Sequence, residues 1–426
     1  MSRTDYPVYG YRWIVLAVFM FVNLTIQILW ISYAPVTDDA ALFYGVGDLE
    51  IGLLAMSFMI AFIPFSIPAS WVIDTYGFRI GVGVGVVLMG IGGVVRGLAG
   101  SDYTLVLLGT ITLAVAQPFL LNAWTKVPAN WFSVEERATA VGLVTLANLV
   151  GTAIGMALTP LLTDHASIPT IQLAYGGIAA LSAVLFLIFA REKPPTPPCP
   201  PEMEARALML DGLKHALHIK AFWLYLLVSF IGLGVFNGIN TWIEGIVQPR
   251  GFTSTDAGTL GALMLVGGVL GAVIIPPFSD RQRKRQRYLL LGISLAIPWL
   301  LGLTFATTFW LLALSAFMLG FFLVSTLPIG MQYAAEVTYP TPEGTSNGLI
   351  QLFGQASVVF VLVMDLMKTA DDSLTPSLVL AAILLLGSAL VITQLKDVPV
   401  ERVGLSPSDL PDLGHGAHAV GSELDR

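Results

Sequence analysis

The sequence predicts an all-α membrane protein, and three observations carry that prediction. Charged residues make up 12% of the chain and the hydrophobic set 55%, with a mean hydropathy of +0.79; a soluble domain typically carries about 25% charged residues. The apolar residues fall into twelve long runs, and about 20 mainly apolar residues are enough to cross a bilayer as a helix. The few charges sit almost entirely between those runs. A chain of 426 residues is too long for one soluble core and comfortable for a bundle of many helices. Its net charge of -7, with no basic block paired with aromatics, gives no reason to expect a nucleic-acid partner. Cys199 is the single cysteine, so no internal disulfide forms.

Taken in order, the spans are predicted at 12–34, 50–73, 79–100, 103–131, 137–162 and 168–190, then at 221–247, 255–278, 287–306, 309–335, 343–367 and 375–395. The first follows a short polar stretch and lacks a small-residue cleavage site, so it reads as a retained span, not a removed signal peptide. The second closes on Asp74-Thr75-Tyr76-Gly77. The third carries Gly81-Val82-Gly83-Val84-Gly85, which inside a span suits helix packing better than phosphate binding. The third and fourth lie close together, and the ninth and tenth meet at Thr307-Thr308.

Loop charge orients the bundle. The odd-to-even turnarounds hold few cations: Arg96, Arg250 and Lys368. The other side holds Arg3, Arg12, Arg79, Arg137, Arg191, Lys193, Arg206, Lys214, Lys220, Arg281, Arg283, Lys284, Arg285, Arg287, Lys396 and Arg402. That basic end is predicted to be cytoplasmic, with both termini inside the plasma (inner) membrane. Residues 1–190 form a first six-helix bundle and 221–395 a second. Between them, 191–220 is a cytoplasmic linker whose prolines favour extended backbone. The tail, 396–426, is expected to be disordered, with His415 and His418 solvated.

The two bundles share a punctuation. Asp74 stands at the end of the second span, with Gly77 allowing a tight turn and Arg79 five residues on. Asp280 stands at the end of the eighth, with Arg285 five residues on. Such an Asp can pair with a cation or cap a neighbouring helix start and so latch helices together.

The stretch around Asp74, Gly77 and Arg79 resembles the loop motif of the major facilitator superfamily. Trp131-Phe132-Ser133-Val134-Glu135-Glu136-Arg137-Ala138-Thr139-Ala140 resembles another stretch of that superfamily. The resemblance implies two pseudo-symmetric six-helix bundles around a midplane site, with Asp74, Gly77, Arg79, Asp280 and Arg137 forming a conformational latch that holds the outward-facing state. Within the superfamily, the chain is similar to the feline leukaemia virus subgroup C receptor-related branch. The matching pieces are Trp30-Ile31-Ser32-Tyr33, Phe43-Tyr44-Gly45-Val46, Pro68 to Gly77, Gly151-Thr152-Ala153-Ile154-Gly155, Glu336-Val337-Thr338-Tyr339-Pro340 and Glu343-Gly344-Thr345-Ser346. Members of that branch are associated with choline, ethanolamine and haem transport. The likeness implies that Trp30 and Gln355 contact a choline-like head group. Leu149 stands where the branch has a glutamine, and Asn237 where it has a tyrosine. It further implies that the small-residue face of Gly151 and Gly155, which permits close helix approach, lies where the halves rock.

Polar residues inside hydrocarbon are expensive, so their placement is informative. Asn23, Gln27 and Trp30, with Tyr33 adjoining, mark one face of the first span. Thr145, Asn148 and Thr152 mark one on the fifth, Asn237, Asn240 and Glu244 on the seventh, and Asn347, Gln351 and Gln355 on the eleventh. Any one of these residues serves equally as interhelical glue; four stripes together favour a wet cavity. Trp30 and Tyr33 offer π faces for a cation, or else serve as interface and packing aromatics. Lys126 either snorkels or pairs structurally, or it attracts an anionic group. Glu244 and Asp365 lie toward the outer ends of their spans. With no central carboxylate, facilitated transport is favoured over proton coupling.

No nucleotide loop, metal-binding motif or Ser–His arrangement is present, so neither enzymatic chemistry nor a cofactor is expected. The sequence therefore reads as a monomeric carrier that moves a small organic solute, such as a choline-like amine, by alternating access. The candidate substrate-binding residues are Trp30, Gln355, Gln27, Tyr33, Asn237, Asn240, Asn148, Gln351 and Lys126. The alternatives are an organic-anion carrier using Lys126 and, remotely, a membrane receptor or scaffold without flux.

Overall fold

The computed structural model describes residues 9–196, 210–339, 341 and 343–397. Cys199, Arg206 and the tail histidines lie outside the described residues. Among those described, twelve helical segments are long and apolar enough to cross a membrane: Arg12–Tyr44, Asp48–Tyr76, Phe78–Leu98, Tyr103–Leu121, Thr139–Thr163 and Ile168–Phe189, then Lys220–Thr241, Ser254–Gln282, Arg285–Phe305, Phe309–Val337, Ser346–Leu366 and Thr375–Ile392. The first six pack mainly on one another, as do the last six, and the fifth and eighth spans meet across the seam between the sets.

Several spans are interrupted where hydropathy gave no sign. The helix Arg12–Ile31 stops, a 3-10 turn at Ala34–Val36 follows, and a separate helix, Thr37–Tyr44, continues outward. Pro35 explains the break, because it has no N–H to offer the preceding turn. The fourth span, predicted to run unbroken to 131, ends at Leu121; a short helix, Lys126–Trp131, follows a turn. The seventh stops at Thr241 and restarts as Ile243–Val247. The eleventh divides into Glu343–Ala356 and Val358–Leu366. Broken backbone at membrane depth is tolerated where protein or a cavity surrounds it. At the fourth-span break the protein does so: Asn122 donates its amide to the Ser66 carbonyl at 2.9 Å and to Ser70 Oγ at 2.9 Å, both on the second span.

Close packing is set by glycines. On the fifth span, Gly151 presses on Leu24 and Gly155 on Ile28 and Ile31 of the first span. This is a correction: that small-residue face lies inside the first set, not at the seam. The close approach at the seam is made instead by Gly258 and Gly261 of the eighth span against Met156 and Pro160 of the fifth.

Candidate functional site

The polar stripe of the first span meets partners on three neighbours. Asn23 Oδ1 accepts from the indole N–H of Trp124 at 2.6 Å, while its amide donates to its own helix at Phe19 O. One turn further, Gln27 Nε2 donates to Asn148 Oδ1 on the fifth span at 2.6 Å. Gln27 Oε1 accepts from Gln117 Nε2 on the fourth span at 3.3 Å. Gln27 and Asn148 are 7% exposed and Gln117 4%. The three amides do not satisfy one another: Asn148 Nδ2 and Gln117 Oε1 are buried without a partner. Such atoms are costly in hydrocarbon, and the cluster leaves the Asn148 amide nitrogen and the Gln117 carbonyl oxygen unpaired.

Trp30, the next member of the stripe, donates its indole N–H to Ala55 O of the second span at 3.2 Å. That bond fixes the ring plane of a buried side chain. In the second set, Asn240 donates to Phe236 O at 2.8 Å and keeps a buried, unpartnered Oδ1. Asn237 is buried, and Gln351 and Gln355 are half-buried. Trp242, at the seventh-span break, donates to Val361 O at 3.0 Å.

Two candidates stand apart from this cluster. Tyr33 packs in a separate apolar group with Tyr44, its hydroxyl 3.0 Å from that of Tyr44. Its ring lies 5.0 Å from the Arg96 guanidinium, so a cation already occupies the neighbourhood where a ligand cation would stack. Lys126 Nζ is 3.0 Å from Asp74 Oδ1, at the basic end of the bundle.

Arg96 corrects the sequence analysis, which counted it as a loop cation. It lies inside the bundle, 1% exposed, donating to Leu29 O at 2.9 Å, Ser32 Oγ at 2.8 Å and Gln172 Oε1 at 2.6 Å. Gln117 was missed as well. The signal that could have found both is a lone polar residue deep in a span, whose cost demands a partner.

At the basic end, Asp74 pairs with Lys126, and the capping role falls to another acid. Gly77, at φ 90°, makes the turn into the third span. There the Glu192 carboxylate accepts from the backbone N–H of Phe78 at 3.1 Å and of Arg79 at 2.7 Å, a favourable place for an anion. The Arg79 side chain is exposed. Asp280 binds Arg285, which also reaches Glu336 at 3.0 Å. Arg137 donates to Ala129 O at 3.0 Å and Phe132 O at 3.3 Å. None of these contacts joins the first set of spans to the second.

At the opposite, far end, contacts cross the seam. Lys368 Nζ binds Asp48. The Asp38 N–H donates to Glu244 Oε2 at 3.0 Å, and the Trp242 ring sits on Gly52. Together with Gly258 and Gly261 against Met156 and Pro160, these close the far end.

A family model described as Major Facilitator Superfamily matches residues 14–362. The choline/ethanolamine transporter flvcr2b of Danio rerio is 27% identical over 401 residues, covering 89% of this chain and 83% of its own length. The choline/ethanolamine transporter FLVCR1 of Mus musculus is 30% identical over 388 residues, covering 82% of this chain and 68% of its own length. Among solved structures, a bacterial homologue of the human lysosomal transporter Spinster, in an inward-facing and unoccupied conformation, matches with a TM-score of 0.68 at 15% identity, covering 91% of this chain and 97% of its own. The human organic anion transporter MFSD10 matches at 0.63 and 14% identity, covering 89% of this chain and 99% of its own.

Proposed function

We propose a substrate class for this chain from the premise that it belongs to the major facilitator superfamily and is related there to the FLVCR choline/ethanolamine transporters. It is a membrane carrier that works by alternating access. Its cargo, in this proposal, is a small organic amine of the choline type, moved by facilitated transport through a monomer in the plasma (inner) membrane. The basic end and both termini face the cytoplasm, so that closure at the far end corresponds to an inward-facing state. Residues 1–190 and 221–395 rock as two bundles around the amide cluster.

The observation that carries the substrate class is the bond between Lys126 and Asp74. It neutralises the cation that an organic-anion carrier would need. The remaining candidates are amides and an indole: Gln27, Asn148 and Trp30 from one bundle, and Asn237, Asn240, Gln351 and Gln355 from the other. Neutral dipoles and a π face suit a quaternary ammonium, whose cation–π contact is worth about 0.5–2 kcal/mol, and the spare donor on Asn148 suits its hydroxyl. Trp30 and Gln355 contact cargo from opposite bundles, which lets binding lower the barrier between the two states.

Uptake of radiolabelled choline by proteoliposomes tests this. Trp30→Leu is expected to lower uptake at sub-saturating choline by about 3- to 30-fold, the loss of one cation–π contact. Trp30→Phe, which keeps a π face, should recover much of it. Lys126→Ala should leave choline affinity within about twofold, because its charge already has a partner. Unchanged uptake in Trp30→Leu, or competition by carboxylates in place of amines, overturns the proposal.

A further inference from the structure

We propose that Glu244 is a proton-binding site in the seam between the two bundles, and that its protonation selects the state closed at the far end. The proposal rests on the alternating-access reading but not on the identity of the cargo. Glu244 sits in the short helix Ile243–Val247 that follows the seventh-span break. It is 1% exposed, although it carries a carboxyl group. Its two oxygens each accept one hydrogen bond: Oε1 from Ser254 Oγ at 2.6 Å within its own bundle, and Oε2 from the Asp38 N–H at 3.0 Å across the seam. It therefore belongs to the far-end closure itself.

What surrounds Glu244 is acidic or otherwise engaged. The helix Thr37–Tyr44 brings Asp38 and Asp39, both of the same sign. The Ala34–Val36 turn brings no charge. On the eighth span, the Asp256 carboxylate is taken up by the Thr253 N–H and hydroxyl. Arg250, in the turn Gln248–Arg250, spends its guanidinium on the carbonyls of Ile246, Leu303 and Ala306. Lys368 binds Asp48 and Asp372. No ion pair to Glu244 is formed among the described residues. A buried carboxylate without a cation is costly, and taking up a proton removes the cost.

The hydrogen bonds accommodate either form. A backbone N–H only donates, so the Asp38 contact keeps Oε2 an acceptor. A serine hydroxyl both donates and accepts, so the 2.6 Å contact can persist with a protonated Oε1, while as a donor it favours the ionised form. Burial, opposed in part by these two bonds and reinforced by Asp38 and Asp39, lifts the Glu244 pKa to about 7. When the seam opens, water reaches the group and it returns toward the ordinary glutamate value of about 4.3. The closed state thus binds a proton more tightly than the open one. Below about pH 4.3 both states hold the proton, and above about 7 neither does. Between those limits, each unit of acidification favours the closed state by up to about tenfold.

The test reads conformation without any cargo. Spin labels on cysteines at Leu42 and Asp371, in a Cys199→Ser background, report the far-end separation of the two bundles in lipid nanodiscs from pH 5 to 8. The expected result is a closed population that grows as pH falls. Glu244→Gln is isosteric with the protonated acid, and should be closed and flat across the range. Ser254→Ala removes a donor that favours the ionised form, so the upper limit of the transition should move to higher pH. Flat behaviour in the wild type, or a wild-type slope in Glu244→Gln, overturns the proposal. Neither result bears on whether choline is the cargo.

Discussion

A leucine at position 258 is expected to abolish transport while leaving both bundles folded. Gly258 lies near the far end of the eighth span, and even a single added carbon there would collide with the Met156 carbonyl and the Pro160 ring of the fifth span. Backbone at the contact cannot swing aside as a side-chain tip can. Overpacking of this kind costs about 3 kcal/mol, equivalent to about 150-fold against the closed state. The collision partners belong to the opposite bundle, so the strain vanishes if the far end simply stays open. The variant should therefore purify as a monodisperse protein with a normal thermal midpoint. It should bind cargo from the far side and fail to turn over, with uptake reduced at least about 50-fold. Far-end cysteine labels should show the open separation at every pH. Gly258→Ala, with the smaller clash, should fall between. Wild-type uptake in the leucine variant would mean that this contact is not part of the closed gate.

The twelve spans were legible because a bilayer demands about 20 apolar residues per crossing, a signal that survives any detail of packing. The interruptions were not. Trp242 and Ser357 break their helices without altering local hydropathy, and the added helix Thr37–Tyr44 contains too few apolar residues to register. The candidate site was legible by face: Asn23, Gln27 and Trp30 recur at helical spacing because one side of the span meets polar partners. Which partners they meet was not legible. Gln117 and Asn148 reach Gln27 from 90 and 121 residues away, and nothing local marks such pairings. The same limit explains Arg96. Loop-charge counting assigns any charge near a span end to water, whereas its burial depends on acceptors supplied by distant helices.

Replacing Arg96 with leucine is the second large expected effect, and it falls on stability as well as transport. Leu29 lies in the last turn of the helix Arg12–Ile31, where carbonyls lack intrahelical donors and the helix dipole favours a cation. Arg96 fills that need from the third span and ties in Ser32 and Gln172; Gln172 also donates weakly to Ser32 at 3.4 Å. Hydrogen bonds to a charged group are worth about 1.5–3 kcal/mol each. Leucine forfeits three of them but recovers the guanidinium's burial penalty, for a net loss of about 2–4 kcal/mol. The consequence for transport follows from position. Trp30 adjoins Leu29 in the chain, and the break beyond Ser32 leads to Asp38 at the far-end seam, so loosening this turn disturbs both the ligand contact proposed for Trp30 and the far-end closure. Uptake should fall about tenfold or more, with a lowered thermal midpoint by size-exclusion thermostability. Lysine should not rescue it, because a single ammonium cannot span acceptors that a planar fork reaches together. Full stability and uptake in Arg96→Lys would show that charge alone, without the fork, is what the first span requires.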